Sequence, residues 1–194
     1  MDKVSYALGL SMGNNFQATG IKALNVDEFA KGVKAIYEGT TPEMTHDEAK
    51  QIVNEYFAGL QQEMLENNRQ AGEVFITEYA KEEGATVLPS GLVYKVINQG
   101  TGAMPTSADR VRVHYTGKTV DGRVFDSSEQ RGEPAEFGVT QVIPGWVEAL
   151  QLMNEGSRWQ LVIPSNLAYG EHGAGDAIAP NSTLIFDVEL IKVL

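Results

Sequence analysis

Val113-His114-Tyr115-Thr116-Gly117, Val124-Phe125-Asp126-Ser127-Ser128, Val142-Ile143-Pro144-Gly145-Trp146, Leu167-Ala168-Tyr169-Gly170 and Phe186-Asp187-Val188-Glu189-Leu190 follow one another in the second half of the chain. Each run contributes an aromatic ring, and one contributes a carboxylate that reads as buried. None supplies a nucleophile with a base, a metal cluster or a phosphate loop. A site made of aromatics with almost no titratable chemistry suits a reaction that breaks no covalent bond.

The segments around these runs read as strands with one short helix. Residues 92–97 and Arg110 to Tyr115 alternate apolar and polar with period two. Val120-Asp121-Gly122-Arg123 carries a hairpin signal, because Asp-Gly suits a type I′ turn. Residues 147–152 form a short helix after Pro144-Gly145, and residues 159–163 and 183–193 give further strands. Five or so strands with one helix make an α+β domain, an antiparallel sheet wrapped on a short helix.

The composition changes at Leu88-Pro89-Ser90-Gly91, where proline and glycine end any helix. Upstream there is a single proline, Pro42, and the pattern is helical. Short helices are expected from Val4 to Ala18 and from Asp27 to Tyr37, the second capped by Asn25 or Asp27. From Asp47 to Gly84 the chain lacks proline, and Ile52, Val53, Tyr56, Phe57, Leu60, Met64, Val74, Phe75 and Tyr79 recur at three- and four-residue spacing. Thr45 with Glu48 fits a capping box, and Gly84 fits a helix stop. Such a helix would run about 57 Å, longer than a small domain is wide. Expected boundaries are therefore a helical segment over 1–46, a long connecting helix over 47–84 and a sheet domain over 89–194. A helical segment this small has little room for a private core, so residues 1–84 read as a homodimerisation module, the alternative being a small helical bundle on its own.

Bulk properties exclude several classes. A net charge of −11 argues against nucleic acid and against anionic lipid. There are no cysteines, so thiolate chemistry and disulfides are ruled out. His46, His114 and His172 share no metal spacing, and no cofactor is expected. The glycine-rich run Tyr169 to Gly175 lacks the Lys-Ser/Thr of a phosphate loop, and no Gly-x-Ser-x-Gly elbow occurs. No stretch is apolar enough for a membrane span, and the first residues lack a secretory pattern. The expectation is a cytoplasmic protein, or a periplasmic or surface one if a signal was trimmed.

Residues 89–194 resemble the FKBP-type peptidyl-prolyl cis-trans isomerases, through five separated motifs in order. The whole layout is similar to the bacterial Mip-like (macrophage infectivity potentiator-like) subgroup, which carries a helical dimerisation segment and a long helix before the isomerase domain. The resemblance implies a cleft with Trp146 as floor and Tyr115, Phe125, Phe137, Val142, Ile143, Ile178 and Phe186 as substrate-binding walls. It implies that Asp126 pairs with Arg131 and Tyr115 at the edge, and that Tyr169 points its hydroxyl at a substrate carbonyl. Ile143 would offer its backbone N–H, and residues 170–180 would form a flap. Trp146, Tyr169, Asp126 and Phe125 would carry catalysis. Ala135, Ala174, Ala177 and Ala179 stand where many members carry bulkier residues, which implies a wider wall and a less apolar flap. Implied partners are Xaa-Pro-containing polypeptides, a second copy of the chain, and macrolide inhibitors such as rapamycin.

The implied activity is acceleration of Xaa-Pro bond rotation in unfolded or flexible chains by a dimeric folding helper. A chaperone or adaptor that keeps the fold with little turnover is the competing expectation. Phe125 and Asp126 are adjacent, so on a regular strand they would face opposite ways. If both line one cleft, the chain must bend there.

Overall fold

The computed structural model describes residues 1–194, which divide into two compact units, Met1–Gln62 and Glu63–Leu194.

The first unit holds α1 (Lys3–Ala18), α2 (Val26–Glu38) and the start of α3 (His46–Tyr79). Local chemistry sets each start. The Asp2 carboxylate accepts the Val4 N–H at 3.0 Å, and the Asn25 side chain accepts the N–H groups of Asp27 and Glu28. Gly39, at φ +66°, ends α2. Thr45 and Glu48 form the expected capping box: the Thr45 hydroxyl accepts the Glu48 N–H at 3.2 Å, and the Glu48 carboxylate accepts the Thr45 N–H at 2.8 Å. No residue of this unit is buried. Leu8, Leu10, Ile36 and Ile52 are all more than half exposed.

The long helix has 34 residues and stops at Tyr79, not at the expected Gly84. Residues 80–84 turn instead, Gly84 takes φ +81°, and Ala85 pairs with Lys95 to start a strand. At 1.5 Å per residue, α3 is about 51 Å long.

The second unit contains a seven-stranded antiparallel sheet, more strands than the sequence pattern shows. The strands are β1 (Ala85–Val87), β2 (Val93–Asn98), β3 (Arg110–Thr119), β4 (Val124–Ser127), β5 (Ala135–Gly138), β6 (Arg158–Ile163) and β7 (Leu184–Val193). The order is β1-β2-β6-β7-β3-β4. One edge of β3 is shared, with β5 along Arg110–Val113 and β4 along Thr116–Lys118. The unit also holds two short α-helices, α4 (Ser128–Arg131) and α5 (Pro144–Leu150), three single 3-10 turns and the end of α3.

The hairpin between β3 and β4 forms where Asp-Gly was read, but not as a type I′ turn. Asp121 keeps a negative φ, and only Gly122 is left-handed, at φ +85°. The Gly122 N–H reaches the Thr119 carbonyl at 2.9 Å. This is the three-residue loop in which a turn is followed by one left-handed residue. The Asp121 carboxylate accepts the Thr119 hydroxyl and so holds the tip.

Alternation along the strands gives the sheet two apolar faces. Val111, Val113, Tyr115, Leu161, Phe186 and Val188 are buried in the core that includes Trp146, Ala149 and Leu150 of α5. Pro144 occupies the first turn of α5, where its missing N–H costs nothing. Gly145 lets the helix approach, since a Cβ there would stand 2.5 Å from Ile163 Cγ2. The opposite face, with Val93 and Val162, is covered by Phe75, Ile76 and Tyr79 of α3. The Tyr79 hydroxyl donates to Gln160 at 2.7 Å, and Gln160 donates to Asp187 at 2.9 Å. Burial raises the Tyr79 phenol pKa, with Glu82 and Asp187 adding to the rise.

Candidate active site

A cleft of about 430 Å³ opens beside α5 and the strands β3, β4 and β7. Its lining is Tyr115, Phe125, Asp126, Phe137, Gln141, Val142, Ile143, Trp146, Tyr169 and Phe186. Trp146 is 4% exposed, and three rings stand nearly upright against its plane. Tyr115 meets it at 5.2 Å and 90°, Phe186 at 5.3 Å and 82°, and Phe137 at 6.0 Å and 89°. These edge-to-face contacts satisfy the quadrupoles of the rings and stiffen the box. The indole N–H of Trp146 is buried without a hydrogen-bond partner.

Phe125 and Asp126 both reach this cleft because β4 carries a bulge. Asp126 pairs with Gly117 and Val124 with Lys118, so Phe125 is the extra residue opposite the ladder. The anticipated bend therefore lies within the strand, before Ser127-Ser128. Gly117 makes room for it: a Cβ there would lie 2.5 Å from Phe125 Cζ and 2.8 Å from Phe186 Cε1. The two phenyl rings close the wall at 5.6 Å and 86°.

Asp126 is held on both oxygens. The Tyr115 hydroxyl donates to one and the Arg131 guanidinium to the other. Arg131 also donates to the Tyr115 hydroxyl at 3.1 Å, closing a triangle. Burial pushes the Asp126 pKa up, but the two donors outweigh it and the net value lies below 3.8. Burial raises the Tyr115 phenol, and the Asp126 carboxylate raises it further. The geometry behind this triangle comes from Ser127 and Ser128. Ser127 caps α4 by accepting the Gln130 N–H at 3.2 Å, and the fully buried Ser128 hydroxyl accepts the Tyr115 N–H at 2.8 Å.

The structure brings together nine of the eleven residues singled out above. Arg131 stands behind the cleft edge and acts on it through Asp126 and Tyr115. Ile178 is 4% exposed and packs into the core cluster, outside the cleft lining. Ala135 and Ala174 pack against the core. Tyr169 is 40% exposed at the cleft mouth, immediately before the flap. Ile143 precedes α5, and its carbonyl accepts from Trp146 and Val147. Gln141 was not anticipated. Its side chain accepts the Gly138 N–H at 3.3 Å in the turn before Val142, a place without a sequence signature. A larger groove, about 540 Å³, lies in the helical unit and includes Lys31, Ile36, Pro42 and Met44, but no Trp, Tyr or Phe.

The FKBP-type peptidyl-prolyl cis-trans isomerase family matches residues 101–191, and the domain amino terminal to FKBP-type peptidyl-prolyl isomerase matches residues 1–96. An FKBP-type 22 kDa peptidyl-prolyl cis-trans isomerase of Escherichia coli (strain K12) is 46% identical, over 99% of this chain and 95% of the relative. Outer membrane protein MIP of Legionella longbeachae is 44% identical, over 99% of this chain and 85% of the relative. The crystal structure of FkpA from Escherichia coli superimposes with a TM-score of 0.79 at 36% identity, covering 98% of this chain and 95% of that one. The chain belongs to the FKBP-type peptidyl-prolyl cis-trans isomerases, in the group that includes Mip and FkpA. It is an enzyme that accelerates rotation about Xaa-Pro bonds in polypeptides.

Proposed function

We propose that the cleft over Trp146 is where the proline ring is held, and that catalysis there works by desolvation and shape. The observation that carries this reading is the box of three upright rings on the Trp146 plane. The peptide C–N bond resists rotation by about 18–20 kcal/mol through resonance. Twisting it removes charge separation, so water favours the planar ground state over the twisted one. A dry aromatic box withdraws that advantage and grips the ring. Trp146 is the floor, and Phe125, Phe186, Phe137, Val142 and Ile143 are walls. The Tyr169 hydroxyl and the Ile143 N–H orient carbonyls beside the proline. Asp126, with Arg131, fixes the Tyr115 ring and presents a carboxylate at the edge. No proton transfer is required, because complementarity to the twisted amide lowers the barrier.

The unburied apolar faces of the helical unit support a homodimer formed through residues 1–84. In that arrangement residues 1–46 are the dimerisation segment, 47–84 the connecting stretch and 89–194 the isomerase domain. Two clefts on one particle would hold a flexible client at two points. Rapamycin, a macrolide, would occupy the same cleft. No helix is long and apolar enough to cross a membrane. The cytoplasmic expectation has no support among the relatives. The name of the Legionella longbeachae protein favours the periplasmic or surface branch, which cell fractionation tests.

Substituting the floor tests the site. Trp146→Leu should keep a folded sheet by circular dichroism and lower kcat/KM on an Xaa-Pro peptide by about fivefold or more, since a flat surface worth about 1 kcal/mol or more of contact is lost. A folded Trp146→Leu protein with full activity would move the site elsewhere.

A further inference from the structure

Two side chains outside the cleft hold the flap from behind. Asn68, on the sheet-bound half of α3, donates from Nδ2 to the Pro180 carbonyl at 2.7 Å. Arg123, next to the β3–β4 hairpin tip, donates from Nη2 to the Ala177 carbonyl at 2.6 Å. Both acceptors lie on the same returning leg of the flap.

The flap is closed by its own hydrogen bonds. Ala174 and Ile178 exchange backbone hydrogen bonds of 2.8 and 3.1 Å, and Ile178 is buried beneath them. Gly173, at φ +64°, passes so close that a Cβ would stand 2.2 Å from the Ile178 carbonyl oxygen. The Asn181 N–H ties the two legs by donating to the Gly170 carbonyl at 2.8 Å, and Asn181 takes φ +55°, the sole left-handed residue that is not glycine. The Ala174–Ile178 pairing closes the loop above its base, so both the loop's position and the protection of those two amides depend on what holds the base. Behind that base lies a crevice of about 290 Å³, bordered by Asn68, Ala71, Asp121, Arg123, Ala179 and Thr183. Apolar packing does not fill it. Loop carbonyls without strand partners need donors, and here a rigid helix and a rigid hairpin supply them.

We infer that Asn68 and Arg123 are positioning residues of the isomerase: through the Pro180 and Ala177 carbonyls they set the height of the flap over the cleft. This rests on the reading of residues 170–180 as the lid of the proline site. A lid that meets the residues flanking the proline, and not the rotating bond itself, would bind the planar and twisted states alike. Loosening it therefore raises KM more than it lowers kcat.

The test compares full-length Asn68→Asp, Arg123→Ala and the double variant with wild type. Asn68→Asp keeps size and removes the donor. Kinetics on a short Xaa-Pro peptide are combined with residue-resolved amide hydrogen exchange. In the double variant, the Ala174 and Ile178 amides should exchange about tenfold faster while the Val113 and Leu161 amides stay at wild-type rates. KM should rise about three- to tenfold with kcat within about twofold, and Arg123→Lys should recover most of its share. Unchanged flap exchange overturns the inference, as does unchanged KM on a loosened flap. Uniform acceleration through the sheet, with kcat and KM moving together, also overturns it. Wild-type protein that fails to turn over the peptide counts against the lid reading instead, while the exchange rates still decide whether the two residues anchor the flap.

Discussion

At the scale of single residues, the site contains one ionised group in contact with substrate space, and it is tightly held. Asp126→Ala leaves the Arg131 guanidinium and the Tyr115 hydroxyl without their shared acceptor. It should lower kcat/KM by about tenfold and stability by about 1–3 kcal/mol, read from peptide kinetics and urea unfolding. An equally stable, fully active variant would contradict this placement. Tyr169→Phe removes one hydroxyl at the cleft mouth. Loss of one neutral hydrogen bond, about 1 kcal/mol, corresponds to about a fivefold fall in kcat/KM with no change in fold. The pH response follows from the Asp126 shift. Its folded pKa lies below 3.8, so its contribution is complete above the unfolded value and is lost as pH falls through the folded one. Stability should therefore hold at neutral pH and be lost only in acid, as pH falls through the lowered Asp126 pKa, and activity that needs the Asp126 carboxylate should fall with it. A titration step between pH 6 and 7 would point to a group outside this site.

At the scale of elements, the bulge in β4 decides whether the cleft exists. It places Phe125 and Asp126 on one side, and Gly117 opposite leaves space for the Phe125 ring. Gly117→Ala should push Phe125 and Phe186 from their contact, costing about 1–3 kcal/mol by overpacking and narrowing the cleft. Thermal melting together with kcat/KM measures both effects, and a silent substitution would show that the wall tolerates movement. Much of this was legible in the sequence. Period-two alternation marked β2 and β3, apolar runs marked β6 and β7 as further strands, and Thr45 with Glu48 marked the start of α3. The end of α3 was not legible, because the apolar spacing gives no sign that residues 80–84 turn toward β1. Strand β1 was missed because three residues are too few to show a period. Bulges and turn types depend on pairing with a partner strand, so Phe125-Asp126 and Asp121-Gly122 revealed a bend and a hairpin but not their form. Gln141 ends a single 3-10 turn and Ile178 sits in an isolated bridge, elements too short to show a period, so side-chain direction there comes from tertiary contacts.

At the scale of the whole molecule, the two units differ in what they bury. The helical unit exposes Leu8, Leu10, Ile36 and Ile52 and buries nothing, whereas the sheet unit has its own core. A fragment covering residues 63–194 should therefore fold, run as a monomer in sedimentation and keep activity on short peptides, while losing efficiency on unfolded proteins. It should begin at Glu63 and not at Pro89, since Phe75, Ile76 and Tyr79 cover Val93 and Val162. A fragment that still dimerises would remove the helical unit as the interface. The central claim is that the aromatic cleft is an isomerase site, and the most direct measurement is cis-to-trans turnover of a short Xaa-Pro peptide by the full chain, titrated with rapamycin. Catalysed rotation that falls to the uncatalysed rate as the inhibitor reaches one equivalent per chain is the predicted result. A folded protein that leaves the rotation rate unchanged would contradict it and mark the cleft as a binding site only.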